Sequence, residues 1–427
     1  MAAKPLSGVV AGLVPERGPR RVLALATALA MTGYGIYLTA SVLYFTRAMG
    51  LAPSRVGVGL TVAGAVALAA GVPVGHLADR RGSRGVYAIT LATAAAAMTG
   101  LCLTKGFWPF LVFATVAAIA QSTGPAARGP LVKHYGGDRP AEFRAYLRSV
   151  TNVGIAFGAV LAGFGIQDGS RDAYLVLLAG SAVCSAAAAA TVLLLPALAA
   201  EPSRPGRRWI ALRDRPYLAL TLLDGVMAIQ FRVLTAAIPL WLLSRTHAPR
   251  WSVSAVMLVN TAIVVVLQVR ASKSIDNPRA GGVAFRRAGF AFLASCVIFS
   301  ALASVPSWLA VTLVLAGVVV HTIGEIWQSA GGFELSFAMA PQQAVGQYQG
   351  LFGMGLGLGV TIGPALLIGL CIDWGTPGWW VVGGIFAATG LAVPAVVAWS
   401  ERLAAAGERA PAPPEPVSPT GITASDL

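Results

Sequence analysis

Charged side chains are scarce in this sequence. Asp, Glu, Lys and Arg make up 11% of its 427 residues, whereas hydrophobic residues make up 56%. A water-soluble globular protein carries about 25% charged residues. Because the charges here are too few to cover a surface exposed to water, the composition excludes an ordinary soluble fold.

Cysteine and histidine are also rare, with four residues of each. The cysteines stand alone within apolar runs and show no CxxC spacing. Disulfide frameworks and zinc sites both need paired ligands at recognisable spacings, so we expect no disulfide, no metal site and no cofactor. A Walker-type phosphate-binding loop is missing from the sequence as well, which argues against ATP as a direct energy source.

The abundant apolar residues occur in blocks of about 20, the length of a helix that crosses a bilayer core of about 30 Å. Clusters of Pro, Gly and charge separate twelve such blocks. The sequence therefore predicts an all-α membrane protein embedded in the lipid bilayer. The predicted spans are residues 21–46, 55–78, 85–104, 107–132, 144–167, 173–198, 216–243, 251–271, 284–304, 307–332, 345–372 and 378–400.

The net charge of +14 is concentrated on one side of these spans. The loops on the side of the two termini hold 23 Lys and Arg residues, and the loops on the other side hold 6. Basic loops stay in the cytoplasm, so we predict a plasma (cytoplasmic) membrane protein with both termini cytoplasmic. Since topology accounts for the basic charge, we expect no nucleic-acid partner, and the sequence indicates no obligate protein partner.

A basic linker, residues 201–215, divides the spans into two sets of six. The predicted domains are bundles over 21–200 and 216–402, preceded by a cytoplasmic segment, 1–20. The Pro-rich tail, 403–427, is predicted to be disordered.

Small residues recur at matching places in the two sets. Span five and span eleven each contain a GxxxG motif, whose spacing lets helices approach closely. Their equivalent positions favour a 6+6 repeat of the kind found in transporters. The motif residues are Gly154, Gly158 and Gly163 in span five, and Gly359, Gly363 and Pro364 in span eleven.

The stretch GHLADRRGSR lies between spans two and three on the predicted cytoplasmic side. It resembles the signature loop of the major facilitator superfamily, G-x-L-x-D-R-x-G-R-R, although Ser83 replaces one basic residue. Gly82 permits a sharp turn, and Asp79 is suited to face a helix N-terminus or an arginine. The matching residues are Gly75, Leu77, Asp79, Arg80, Gly82 and Arg84.

This resemblance implies two six-helix bundles around a central cavity lined mainly by spans one, four, seven and ten. It also implies that the loop acts as a conformational latch, for which Arg128 and Arg148 are further candidates. Glu334 is a candidate to mirror Asp79 in the second half.

The pattern comes closest to the twelve-span drug:proton antiporters of that family, but it departs from them in places. Ala159 stands where their span-five motif has Pro, and Ala162 stands where it has Gly. Ala118 occupies the position of their usual intramembrane arginine. These departures weaken the antiporter assignment more than the family resemblance.

Charge inside a span is costly and usually functional, and four ionisable residues within the predicted spans are candidates on this ground. Asp224 and Arg232 are in span seven, and His321 and Glu325 are one helical turn apart in span ten. At a rise of 1.5 Å per residue, Asp224, Glu325 and His321 lie about 10 to 16 Å from the inner ends of their spans.

We therefore predict a proton-coupling or substrate-binding role for Glu325, Asp224 and His321, with Glu325 as the leading candidate. A buried carboxylate coupled to a neighbouring titratable group can take up and release a proton. The alternative is a structural pair of Glu325 with an arginine or with His321. Softer candidates for the cavity wall are Tyr34, Tyr37, Gln121, Arg232, Trp327 and Gln328.

Together these features predict a secondary transporter rather than an enzyme. Its cargo would be small hydrophobic or amphipathic compounds, exported by proton-coupled alternating access. One alternative is an uptake symporter or facilitator for a metabolite, and a more polar cavity would favour that alternative. A membrane-embedded transferase would need a clustered His/Asp/Glu or Ser/His constellation, which the sequence does not show. A transport-inactive scaffold is a third alternative.

Overall fold

A computed structural model describes residues 18–168, 170–196, 209–246, 248–249 and 251–408. Eleven helices in these ranges are long and apolar enough to cross a membrane, and a bent helix pair provides a twelfth span. The all-α fold class predicted from the sequence is confirmed. The first 17 residues, most of the predicted linker and the tail from residue 409 lie outside the described ranges.

Each predicted span corresponds to one helix or, for α2, to the bent pair. Most of the helices are longer than the apolar runs because their end turns, which carry polar side chains, extend beyond them. The sixth is shorter than predicted, because it ends at Val192 and not at residue 198. The spans are α1 Pro19–Ala48, α2 Arg55–Ala69 with Gly71–Arg81, α3 Ser83–Leu103, α4 Phe107–Gly136, α5 Pro140–Asp168, α6 Arg171–Val192, α7 Arg215–Arg245, α8 Trp251–Lys273, α9 Pro278–Ser304, α10 Ser307–Ala338, α11 Gln342–Asp373 and α12 Thr376–Ala406.

Several spans contain a break in the regular α-helix. The two segments of α2 meet at 44°, and the break at Ala70 lies three residues before Pro73. The ring of a proline clashes with the carbonyl group four residues earlier, which here is that of Ala69. In α7 a π-helical turn, Val233–Ala237, follows Arg232. Such turns occur often at functional sites.

Helices α1 to α6 form one half of the molecule and α7 to α12 form the other. The first half meets the second where α2 and α4 pack on α11, and where α5 packs on α8 and α10. The α2–α11 and α5–α8 contacts are equivalent if the halves are related by a two-fold axis. This reciprocal packing is what two similar six-helix bundles produce.

The GxxxG glycines lie at equivalent helix contacts in the two halves. A Cβ atom on Gly158 of α5 would collide with the carbonyl oxygen of Thr32 in α1. A Cβ atom on Gly359 of α11 would collide with the carbonyl oxygen of Gly225 in α7. The motifs thus bring α5 against α1, and α11 against α7. Gly163 has open space around its Cβ position.

We call the end of the bundle that carries Trp209, where the chain passes from one half to the other, the linker end. Among the described residues, the side-chain hydrogen bonds and ion pairs between the halves all lie in the part of the bundle nearest this end. In this conformation the linker end is therefore closed by polar contacts.

Candidate functional site

The first polar link between the halves is made by the signature loop. Asp79, on the last turn of α2, accepts hydrogen bonds from the backbone N–H groups of Gly346 at 2.7 Å and Gln347 at 3.0 Å. These groups open the helix Val345–Leu367 of α11, whose positive end favours a carboxylate. Gly75 allows this approach, because a Cβ atom there would collide with the carbonyl oxygen of Gly346.

The other predicted latch residues occupy different places. Gly82 has a φ of 91°, a conformation that side chains other than glycine adopt only with strain. Arg84 donates to the carbonyl oxygen of Leu193 at 2.6 Å, and Arg128 donates to Thr27 Oγ1 at 3.0 Å. Both arginines therefore bind within the first half. Arg80 is exposed.

A second link joins α5 of the first half to α10 of the second. Arg148 Nη2 lies 2.7 Å from Glu325 Oε1. Asn260 of α8 donates to the other carboxylate oxygen, Oε2, at 2.9 Å. Glu325 is only 7% exposed, and the Arg148 guanidinium also lies 5.0 Å from the ring centroid of Phe231. Glu325 is thus paired with an arginine of the opposite half.

A third link, one helical turn away on α5, involves Arg144, whose charge the topology argument assigns to a loop. Arg144 donates from Nη1 to Ser336 Oγ at 2.8 Å and to Gln349 Oε1. Its guanidinium also faces three aromatic rings of the second half. The predicted span began at residue 144, but α5 begins at Pro140. The i, i+4 spacing of Arg144 and Arg148 at the start of a span was the available signal.

Asp224 and His321 belong to a separate chain of buried side chains inside the second half. Gln328 donates from Nε2 to Asp224 Oδ1 at 2.7 Å, and Gln230 donates from Nε2 to Gln328 Oε1 at 3.5 Å. His321 continues the chain, because its Nε2 lies 3.0 Å from Gln230 Oε1. Ser295 Oγ lies 3.2 Å from His321 Nδ1.

The contacts at Nε2 favour one tautomer of a neutral His321. Its Nε2 faces two acceptors, the side-chain and backbone oxygens of Gln230, so Nε2 carries the hydrogen. The Nδ1 atom then faces Ser295 Oγ, whose hydroxyl group donates to the carbonyl oxygen of Phe292 at 2.9 Å. The two buried carboxylates thus belong to different networks. Glu325 contacts side chains of α5 and α8, whereas Asp224 accepts from Gln328.

The softer cavity candidates divide into two groups. Tyr34 and Tyr37 of α1 and Gln121 of α4 are partly exposed. Arg232 donates from Nε to the carbonyl oxygen of Val360 at 3.0 Å, and it lies within electrostatic range of the Tyr34 hydroxyl group across the two halves. These four residues occupy the spans that the resemblance places around the cavity.

Of the remaining two cavity candidates, Gln328 belongs to the buried chain between Asp224 and Gln230, and Trp327 is directed away from the first four residues. Trp327 packs with Ile275, Ala284 and Ala330, toward α8 and α9. Glu334 lines a cavity of about 500 Å³ at the linker end, between the two halves. Among the described residues, no backbone N–H group at a helix N-terminus donates to Glu334, whereas two donate to Asp79.

Comparison with known proteins agrees with this architecture. The family model of the Major Facilitator Superfamily matches residues 23–338. No curated protein matches the chain by sequence.

Several solved structures share the fold at low sequence identity. The human organic anion transporter MFSD10 (TETRAN) is 14% identical with a TM-score of 0.68, and the match covers 89% of this chain and 99% of that chain. A bacterial homologue of the iron transporter ferroportin, in an outward-facing state, is 13% identical with a TM-score of 0.70, covering 90% and 100%. The E. coli fucose:proton symporter FucP is 14% identical with a TM-score of 0.65, covering 90% and 98%.

The family match spans most of the chain, and the neighbours named above are transporters that share its helical architecture. The chain therefore belongs to the major facilitator superfamily, a family of membrane transporters.

Proposed function

We propose that this transporter exports small hydrophobic or amphipathic compounds in exchange for protons, by alternating access. The observation that supports proton coupling is the ion pair between Arg148 and Glu325. It joins the two halves at 2.7 Å, and one of its members is an acid that a proton can neutralise. A single protonation event can therefore change the force that holds the linker end closed.

The sign of this effect follows from the contacts of the pair. With Glu325 ionised, both charges are compensated and the linker end stays closed. Protonation of Glu325 leaves the Arg148 charge without its anionic partner, and an uncompensated buried charge costs several kcal/mol. Separation of the halves lets Arg148 reach water. Protonation thus opens the linker end, and proton release allows it to close.

The direction of transport follows if the linker end is cytoplasmic, as the distribution of basic loops predicts. A proton that reaches Glu325 from the opposite side opens the linker end and then leaves into the cytoplasm. Cargo that enters from the cytoplasm is enclosed when the Arg148–Glu325 pair forms again. The cargo then leaves on the opposite side, so that protons and cargo move in opposite directions.

Asp79 adds a second closing contact at the same end. Its carboxylate binds backbone N–H groups at the start of α11, and these groups separate from α2 when the halves move apart. We propose that this contact sets the stability of the closed linker end and that the Arg148–Glu325 pair makes it respond to protons.

The test is transport in proteoliposomes with an imposed proton gradient. A panel of fluorescent dyes, both uncharged and cationic, should move against the direction of proton flow, and collapse of the gradient should stop net movement. Movement of dye or metabolite in the same direction as protons would instead establish the uptake symporter. Equal transport with and without the gradient would establish a facilitator.

A further inference from the structure

Arg144 occupies a binding site built by the opposite half. Its guanidinium lies 5.0, 5.3 and 5.8 Å from the ring centroids of Phe333, Phe337 and Phe352. We call these three residues the aromatic cage. A cation within about 6 Å of a ring face is attracted by the negative face of the π system. Three rings around one cation make a site that is selective for positive charge.

The polar groups beside the cage are acceptors. Ser336 Oγ and Gln349 Oε1 both accept from Arg144. The donor group of Gln349, Nε2, is already bound to the backbone carbonyl oxygen of Ser336 at 2.9 Å. The site therefore offers rings and oxygen atoms to a cation, and an anion would find little to bind.

A buried carboxylate borders the cage. The Cβ position of Gly332 is 3.4 Å from Asp224 Oδ1 and 3.4 Å from the ring of Phe352, so that one residue separates the acid from the cage. Asp224 is 1% exposed. Its Oδ1 is bound by Gln328, whereas Oδ2 has no hydrogen-bond partner among the described residues. Asp224 also lies within electrostatic range of Arg144.

We propose that the aromatic cage and Asp224 form the entry site for a cationic cargo, an ammonium or guanidinium group on an apolar body. Arg144 fills this site while the linker end is closed, and it leaves with α5 when the halves separate. The proposal names the cargo class of the exporter and rests on the proposed opening of the linker end.

One site cannot hold two cations, so Arg144 and the cargo compete for it. The cage accepts the cationic group of the cargo while Arg144 is withdrawn. When the linker end closes, Arg144 returns to the cage and the cargo passes to the free oxygen of Asp224. The returning arginine then blocks the path back to the linker end.

The proposal is tested by direct binding to the full-length protein in nanodiscs, without a proton gradient. The probe is benzylguanidinium, and its uncharged isostere benzylurea controls for shape and hydrophobicity. Arg144→Ala should bind benzylguanidinium about tenfold more tightly than wild type, as expected if Arg144 holds the cage about nine-tenths of the time. Benzylurea should bind weakly to both proteins.

A second substitution separates competition from mere loosening of the halves. If the gain arises because the cage is vacated, Arg144→Ala/Phe352→Ala should lose it. The matched controls are Arg279→Ala, whose side chain is 82% exposed, and Phe290→Ala, which is 48% exposed. Both should bind the probe as wild type does. Arg144→Gln, which lacks the charge but keeps an amide donor, replaces Arg144→Ala if that variant does not fold.

Three results would overturn the proposal. They are equal affinities in wild type and Arg144→Ala, a gain that survives removal of Phe352, and equal binding of benzylurea and benzylguanidinium. None of them bears on proton coupling. Gradient-driven transport of an uncharged dye by the same protein reconstituted in proteoliposomes would then support the proposed exporter and remove only the cationic cargo class.

Discussion

Substitution of Glu325 by Gln tests how the two halves are held together. The variant keeps the size of the side chain and removes its charge, so the closed state retains Arg148 without an anionic partner. Loss of one member of a buried ion pair costs about 3–5 kcal/mol. The Arg148 side chain is 19% accessible and also contacts Phe231, so we expect about 2 kcal/mol, a shift toward the open linker end of about 30-fold.

The shift can be measured as a distance between two spin labels at the linker end. Cysteines at Gly85 and Arg402, in a background without the four native cysteines, place one label on each half. Both positions are exposed, and the Cβ position of Gly85 has open space around it. In wild type, acidification should increase the population with the longer distance. Glu325→Gln should show that population at neutral pH and respond little to further acidification.

A paired substitution decides whether the charge itself is responsible. Arg148→Met/Glu325→Gln removes both charges and leaves no uncompensated ion. Its population with a closed linker end should therefore be larger than that of Glu325→Gln alone. Glu401→Gln, which alters a partly exposed acid paired with Arg279, should behave as wild type. A closed linker end at every pH in Glu325→Gln would refute the reasoning and leave the Arg148–Glu325 pair as a static contact.

Three further predictions concern other parts of the molecule. Asp79→Asn should weaken the closed linker end by about 1 kcal/mol, because the carboxylate at the start of α11 is replaced by a neutral group. In the spin-label assay, the population with an open linker end should be about fivefold larger in this variant than in the control Asp172→Asn. Equal open populations in the two variants would show that Asp79 only shapes the loop. Asp224→Asn keeps an acceptor for Gln328, so this variant should fold and transport uncharged dye but should no longer transport cationic dye. Loss of transport of both dyes would assign Asp224 a structural or proton-carrying role. A reporter fused after Leu427 should read cytoplasmic, and a signal from the opposite side would reverse the proposed direction.

The number and placement of the spans could be predicted because they depend on a local property, the length of each apolar run. The family could be identified because one short loop combines Gly75, Asp79 and Gly82 at fixed spacing. The close contact of Gly75 with Gly346 and the positive φ of Gly82 give the physical reasons for these residue types. Local sequence was sufficient in both cases.

The partners of the buried charges could not be predicted in the same way, because they lie on helices that are distant in the sequence. The i, i+4 spacing of His321 and Glu325 suggested one functional unit. Their side chains reach different neighbours, Gln230 and Ser295 for His321, and Arg148 and Asn260 for Glu325. Helical spacing shows which residues share a face, but packing against other helices decides what each of them binds.

Arg144 was missed for a related reason. Arg144 and Arg148 lie close to the start of α5, so an argument from topology counts them in the charge balance of the neighbouring loop. Only the packing of α5 against α10 and α11 shows that Arg144 enters the opposite half. A sequence argument that treated arginines at span ends as possible links between the halves would have included it with Arg148.

The positions of Arg144 and Arg148 have a consequence for coupling. They lie one turn apart on α5, so a movement of this helix displaces both guanidinium groups together. The partners of Arg144 are uncharged side chains and aromatic rings, so a proton does not act on that contact directly. In the proposed cycle, a proton acts on Arg148 through Glu325, and a cationic cargo acts on Arg144 by taking its place. Because one rigid helix carries both arginines, the proton that releases Arg148 also uncovers the cage, and cargo in the cage delays the return of both. The proposed exporter would therefore couple proton and cargo through the displacement of one helix, without direct contact between the two ligands.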